Sequence, residues 1–374
     1  MMKNKKNLFF LILGTVLAFL PAYLIRFNEQ IFNWLFINFG TYPSDLWNFF
    51  VNYLQHGLQY PPEYPVGLRF FYEVFGFYKY NNYFSFFTVN CLILVLCACG
   101  VTYLLAKIID NTQEKKLNVK NIWYFWICAP SFLFYGLYNY DLPVVFLIVL
   151  ATYLFLDKKY YLAVLSLAIG TVVKVFPVFL LPIFILRSPR KDWFKLFLFF
   201  CAVVLLCNLP YMLSNFDSWI YPYVWQISQN ISYSAKAGTY WWIFYPIFGK
   251  SIGIVSLLFF LILYVYVWLK MKNAPFINLC IAVIIIFLAT DRIYSPQYNL
   301  YLLPFLVLAT YKIDKKWFYS LEIVNVIHVA AFFYLIEHVI LLQSIVAVKY
   351  ISLFFLFKNN LIQSKKINMI ERKG

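Results

Sequence analysis

Thr41–Gly67 reads TYPSDLWNFFVNYLQHGLQYPPEYPVG, a proline-punctuated polar island in a chain that is otherwise suited to lipid. Apolar runs at 7–25 and 84–109 flank it, and each is long enough to cross a hydrocarbon core of about 30 Å. Within the island, Pro43-Ser-Asp45 opens a helix. Ser44 can cap it, and Asp45 stands in the first turn, where the helix dipole favours an anion. Asp45, Asn48, Asn52 and Gln55 then form one polar stripe, with Leu46, Phe49, Phe50, Tyr53 and Leu54 opposite, and Gly57 can end the helix. This predicts an amphipathic helix lying in the interface with its polar face turned to a cavity. Tyr60-Pro-Pro-Glu-Tyr-Pro65 follows, and its prolines fix a rigid extended turn. Such a turn suits a wall over a substrate; the plainer alternative is a stiff linker. Arg69 and Glu73, four residues apart, read as a local ion pair.

Outside the island, the composition sets the class. Of 374 residues, 63% are hydrophobic, 23% aromatic and 12% charged, against about 25% charged in soluble domains. The expectation is an all-α polytopic membrane protein forming a single domain over 1–374. About ten full spans are predicted, at 7–25, 84–109, 122–138, 142–156, 193–211, 251–269, 276–290, 298–311, 317–336 and 339–357. The apolar runs are continuous rather than alternating, which excludes a β-barrel. Three segments lie outside the spans: a first outer loop at 26–83, an aromatic outer loop at 212–250 and a basic tail at 358–374. The net charge of +16 comes from basic residues gathered in short loops on one side of these spans. That positive-inside pattern places both termini in the cytoplasm, in a plasma membrane or an endoplasmic reticulum, and leaves no basic patch for nucleic acid. The seven cysteines fall inside apolar runs without CxxC spacing and read as small buried apolar residues.

One apolar segment, 160–186, has basic residues at both ends (Lys158 and Lys159, then Arg187 to Lys191). Two short helices broken at Lys174-Val-Phe-Pro177 would keep both ends on the same side, because proline removes a backbone donor. The tip of such a re-entrant hairpin must face protein or a water-filled cavity, and Lys174 is placed there. The carboxylates concentrate on the opposite, outer side: Asp45, Glu63, Asp141 and Asp291 are among them. Asn139-Tyr-Asp141 and Asp291-Arg-Ile-Tyr-Ser-Pro-Gln297 form two further outer turns. Trp219, Tyr223 and Trp241 in the 212–250 loop read as an interfacial aromatic belt, with a sugar-stacking or prenyl-cradling surface as the sharper alternative. Glu322 and Lys349, at similar estimated depth in neighbouring spans, read as a structural ion pair, and His328 as a hydrogen-bonded packing residue. No HExxH, paired-cysteine or DxD spacing occurs, so no metal or cofactor is expected.

Four pieces stand in order along the chain: Asp45 with Tyr60-Pro-Pro-Glu-Tyr-Pro-Val66, Asn139-Tyr-Asp-Leu-Pro143, Gly170-Thr-Val-Val-Lys-Val-Phe-Pro177, and Tyr294-Ser-Pro-Gln-Tyr298. As a set they resemble the GT-C fold integral-membrane glycosyltransferases, most closely the polyprenyl-phosphate-mannose-dependent mannosyltransferases of glycosyltransferase family 87. The resemblance implies inverting hexosyl transfer from a polyprenyl-phosphate sugar to a lipid-linked or glycan acceptor at the outer or lumenal leaflet, among membrane lipids and without a nucleotide donor. It implies that Asp45 is the general base. Lys174 and Arg292 are then the cations for the departing phosphate, and Tyr60, Glu63, Asp141, Gln297 and Tyr298 are candidate substrate contacts. Some relatives carry histidines near the position of Gln297 and Tyr298. A transporter or flippase of lipid-linked glycans is the alternative reading; it would favour inverted repeats and midplane sites, and the polar residues here gather at one face instead.

Overall fold

The computed structural model describes residues 5–27, 65–70, 83–112, 117–228, 238–335 and 338–371. The Asp45 helix, Tyr60, Glu63 and Glu73 lie outside them. Among the described residues every regular element is helical. In chain order the principal helices are α1 (Lys5–Ala18), α2 (Leu20–Phe27), α3 (Tyr83–Asn111), α4 (Pro130–Tyr135), α5 (Asp141–Leu156), α6 (Tyr160–Val173), α7 (Leu181–Leu186), α8 (Trp193–Ser214), α9 (Phe216–Ser228), α10 (Trp241–Phe248), α11 (Ile252–Met271), α12 (Phe276–Thr290), α13 (Asn299–Val307), α14 (Lys315–Leu335) and α15 (Val339–Glu371).

Among the described residues five stretches are long and apolar enough to cross a membrane: Lys6–Leu24, Phe84–Asn111, Arg190–Ser214, Trp241–Met271 and Val339–Lys366. Their outward residues are large and apolar, such as Phe194, Leu213, Ile262 and Leu269, as lipid contact requires. α5, α6 and α12 are apolar but only 14 to 16 residues long. The count of about ten full spans is therefore larger than the number of helices with spanning length. Interrupted and shortened helices account for part of the difference. The expected span 122–138 is interrupted: a turn of π-helix at Trp123–Ile127 ends at Cys128, and α4 restarts with Pro130 at its first position. The expected span 298–311 shortens to α13, which the 3₁₀ turn Pro296–Tyr298 precedes and which ends at Val307, with Pro304 inside it. Conversely, the aromatic loop 212–250 contains α9 and α10, and α10 continues through a 3₁₀ turn into α11. The basic segment from Lys358 to Glu371 continues α15. The cysteine expectation needs correcting too: only Cys91 and Cys280 are buried, whereas Cys128, Cys201 and Cys207 are exposed. α8 is apolar all round, so its outward thiols occupy the surface offered to lipid.

The chain divides into two compact units, Met1–Asn111 with Tyr135–Ser228, and Thr112–Phe134 with Gln229–Gly374. In the first, α3 packs on α1 and α5, and α6 packs on α5 and α8. Leu94, Ala98, Val101 and Leu105 give α3 a buried stripe at helical spacing. Gly100 admits the Phe146 ring, which reaches within 2.6 Å of where a Cβ would stand. Thr15 and Thr102 each donate to a carbonyl four residues back on their own helix, and their hydroxyls meet at 2.8 Å across the α1–α3 contact. In the second unit, α12 packs on α11, α13 and α15, and α14 lies along α15.

The helical turn 66–70, which begins at the last residue of the Tyr60–Val66 piece, is seated against the C-terminal end of α6. Val66, Gly67 and Leu68 are buried. A Cβ on Gly67 would stand 2.7 Å from the Val172 carbonyl carbon and from the Val173 nitrogen. Both are backbone atoms, so neither can swing away. Gly67→Ala is therefore expected to destabilise the protein by roughly 1–3 kcal/mol, the cost of overpacking, measured as a lower midpoint of thermal unfolding in detergent. Gly100→Ala, which meets only the Phe146 side chain, is expected to cost less.

Candidate functional site: a buried ion pair at a helix break

α6 stops at Val173 because Pro177 stands four residues on, where its ring would strike the Val173 carbonyl and its nitrogen can donate nothing. Lys174 caps the end in an extended conformation, φ −146° and ψ 137°, and its N–H donates to Gly170 O. The chain resumes as a 3₁₀ turn at Phe176–Leu180 and then α7, with the Pro177 ring lying against Gly170. The break stands where the sequence predicts it, between two short helices.

Lys174 Nζ donates to Asp141 Oδ1 at 2.8 Å; the Lys174 side chain is 15% exposed and that of Asp141 is fully buried. Asp141 is the first residue of α5, whose N-terminal dipole adds to the stabilisation of its charge. The preceding turn is fixed as well. The Asn139 Oδ1 accepts the Tyr140 N–H at 2.6 Å, and the Tyr140 hydroxyl donates to Asn90 Oδ1. Asn90, inside an apolar run, was not singled out from sequence, although a buried amide in a spanning helix is itself a signal of a specific partner. The Asn139–Pro143 and Gly170–Pro177 pieces thus meet in this unit, with Gly67 seated on Val172 and Val173. The Lys174 cation has one side closed by the Asp141 carboxylate and retains limited exposure.

Arg69 takes part in the same seating. It donates to Ser218 Oγ at 3.1 Å and to the Ser218 carbonyl. That carbonyl lacks its helical donor because Pro222 stands four residues later within α9. Glu73, the partner expected for Arg69, lies outside the described residues. Trp219, placed in the aromatic belt, donates to Asn208 Oδ1 at 2.8 Å and so ties α9 to α8.

The second unit carries the fourth motif piece. Thr239 Oγ1 donates to the Arg292 carbonyl at 3.3 Å, and Trp241 Nε1 donates to the Thr290 carbonyl at 2.9 Å, holding the end of α12. The Arg292 guanidinium is buried over Gly253, and its Nη1 has no acceptor among the described residues. Burial lowers its pKa, opposed by the neighbouring Asp291 charge. Asp291 accepts the Ile293 N–H at 3.1 Å, yet desolvation outweighs that bond and raises its pKa to about 6. Gln297 is buried with its Oε1 unpaired among the described residues, and Tyr298 stacks on Tyr301. The turn is held from behind: Asn325 Nδ2 donates to the Pro296 carbonyl at 2.8 Å, and Tyr294 donates to Asn299 Oδ1.

The expected Glu322–Lys349 ion pair does not form. Glu322 accepts the Ser131 N–H at 2.8 Å and Asn299 Nδ2 at 2.9 Å. Lys349 instead meets His328 Nδ1 at 3.0 Å and lies 3.6 Å from the centre of the Tyr294 ring, a cation–π contact. His328 stands six residues beyond Glu322 on α14, about 9 Å along the axis, so Lys349 sits level with the histidine.

Among the described residues no group of three His, Cys, Asp or Glu side chains is placed to hold a metal ion. The sequence model of glycosyltransferase family 87 matches residues 64–290, more than half of the chain and including Asp141 and Lys174. No curated protein and no solved structure shows a match. The chain belongs to glycosyltransferase family 87.

Two outcomes follow from these sites. Asp141→Ala leaves Lys174 without its counter-charge and is expected to cost about 3 kcal/mol, the low end for a broken buried pair because Lys174 can still reach solvent. Asp141→Leu with Lys174→Met should unfold later than Asp141→Ala alone in the same melting experiment. The raised pKa of Asp291 means that the folded state holds its proton more tightly than the unfolded state does. Its contribution is full below about pH 4 and disappears as pH rises through about 6. Relative to Asp291→Asn, wild-type thermal stability should therefore fall between pH 4 and pH 7.

Proposed function

We propose that this member of glycosyltransferase family 87 is an inverting hexosyltransferase that moves a mannosyl unit from a polyprenyl-phosphate donor to a lipid-linked or glycan acceptor at the outer membrane face. The observation that carries this reading is the Lys174–Asp141 pair, set at a proline break and bordered by the turn that begins at the end of the Tyr60–Val66 piece.

In this reading the acceptor hydroxyl oxygen attacks the anomeric carbon while Asp45 removes its proton. The bond from the anomeric carbon to the phosphate oxygen breaks, and polyprenyl phosphate departs with the electron pair. Lys174 meets the charge that develops on that phosphate. Asp141 is the positioning residue that holds the lysine aimed; its complete burial supports that role over direct substrate contact. Tyr60 and Glu63 contribute substrate contacts from the same loop as the base. Arg292, a buried cation whose Nη1 has no acceptor among the described residues, is the competing phosphate ligand, and Gln297 and Tyr298 would then be its companions at the donor. A guanidinium suits a phosphate through planar paired hydrogen bonds, a lysine as a point charge.

The test is transfer of radiolabelled mannose from a polyprenyl-phosphate donor by purified protein, with extracted host lipids as acceptor. Wild type should transfer. Asp45→Asn should lose roughly a hundredfold or more in kcat, the scale of a general base. Lys174→Gln should lose on the order of a hundredfold, the scale of one electrostatic contact to the leaving group, while Lys174→Arg should retain part of the rate. Full turnover in Asp45→Asn would remove that residue from the chemistry. An unchanged Lys174→Gln with an inactive Arg292→Gln would move the phosphate site to the second unit.

A further inference from the structure

The residues that join α13 to α14 and the C-terminal half of α15 border an open surface hollow of about 670 Å³ on the second unit. Lys312, Lys315, Lys316 and Lys358 line it, against one carboxylate, Asp314. Asp314 is occupied in part by capping: its Oδ1 accepts the Lys316 N–H at 3.0 Å. Among the described residues the ion pairs are Lys159–Asp157 and Lys174–Asp141, so none of the four lysines has a carboxylate partner there. Lys315 and Lys316 open α14, and the positive end of that helix dipole adds to the field. The floor is apolar: Trp317 and Phe355 stack with centroids 4.1 Å apart and 10° between planes. Asn359 Nδ2 donates to the Lys312 carbonyl at 3.3 Å and braces the wall.

Lysines beside an apolar floor suit an amphiphile. Ile362 lines the hollow, and from it an exposed apolar row runs along α15 through Phe354 and Ile351, one and two turns from Lys358 toward the middle of the span. We propose that the hollow binds the phosphate of an anionic phospholipid, with an acyl chain lying along Ile351 and Phe354. A free phosphate would use the lysines and leave the row uncovered, so the lipid is the occupant that accounts for both features. Basic pockets between spanning helices take lipid phosphates on this physical ground. The topology expected from the positive-inside distribution assigns this end to the cytoplasmic leaflet, and the proposed chemistry uses none of the residues that line the hollow.

Native mass spectrometry of the purified full-length protein in detergent tests this, with dioleoylphosphatidylglycerol, dioleoylphosphatidylcholine and inorganic phosphate as probes. Wild type should retain phosphatidylglycerol in preference to phosphatidylcholine, and millimolar inorganic phosphate should not displace it. Lys315→Gln with Lys358→Gln should bind phosphatidylglycerol about tenfold more weakly or worse, the scale of two lysines at a membrane surface. Lys315→Arg with Lys358→Arg should bind as wild type does. Should the double glutamine variant aggregate, Lys358→Gln alone carries the comparison, since that side chain is exposed and its loss leaves the helix intact. Equal retention in the glutamine variant, equal retention of phosphatidylcholine, or displacement by inorganic phosphate would each overturn the proposal.

Discussion

A charge taken out of water must be answered at short range, and in the first unit that demand organises everything near the motif pieces. Asp141 is fully buried and Lys174 answers it. For the lysine to arrive there, α6 has to stop, and Pro177 stops it at the residue before Lys174. For the carboxylate to arrive there, α5 has to begin at Asp141, and the Asn139–Tyr140–Asn90 contacts set the turn from which it begins. Without the pair, either the proline break or the helix start would leave one ion facing an apolar interior, which costs several kcal/mol.

The second unit handles its buried acid by another route. Among the described residues Glu322 has no cation partner and is satisfied by the backbone N–H at the start of α4 and by the Asn299 amide, while Asn325 carries the network on to the Pro296 carbonyl. The proline-broken helices thus provide the donors that the acid needs. Ser131 is the junction, since its hydroxyl also meets Asn325 at 3.0 Å. Irregular backbone at membrane depth is tolerated where protein groups answer it in this way. Lys349 is met by an imidazole nitrogen and a phenol ring in place of a carboxylate.

Composition was enough to read the class, and proline was enough to read the break in 160–186, because both act through local chemistry. The family was legible from the order of its motif pieces, and Lys174 and Asp141 were legible as site candidates; their direct contact was not, because it depends on two helices that the spacing of residues cannot bring together. The ten-span count exceeds the helices of spanning length among the described residues, in part because the run 122–138 read as continuous, while the helix breaks at Cys128 and restarts at Pro130. The Glu322–Lys349 pairing failed because the two residues do not share a depth: Lys349 sits level with His328, about 9 Å along α14 from Glu322. Asn90, Asn299 and Asn325 were passed over as isolated amides in apolar runs, although each turned out to hold a turn or a helix start in place.

The Arg69 contact has a consequence for how sequences of this kind can diverge. Arg69 occupies a carbonyl that is vacant only because Pro222 cannot donate to it. An alanine at 222 would supply that donor from within α9 and make the arginine dispensable at that point; an arginine lost first would strand the carbonyl. The two positions are therefore bound by order of substitution, and tolerated replacements at one are conditional on the state of the other, even though neither belongs to the pair that the chemistry is proposed to use.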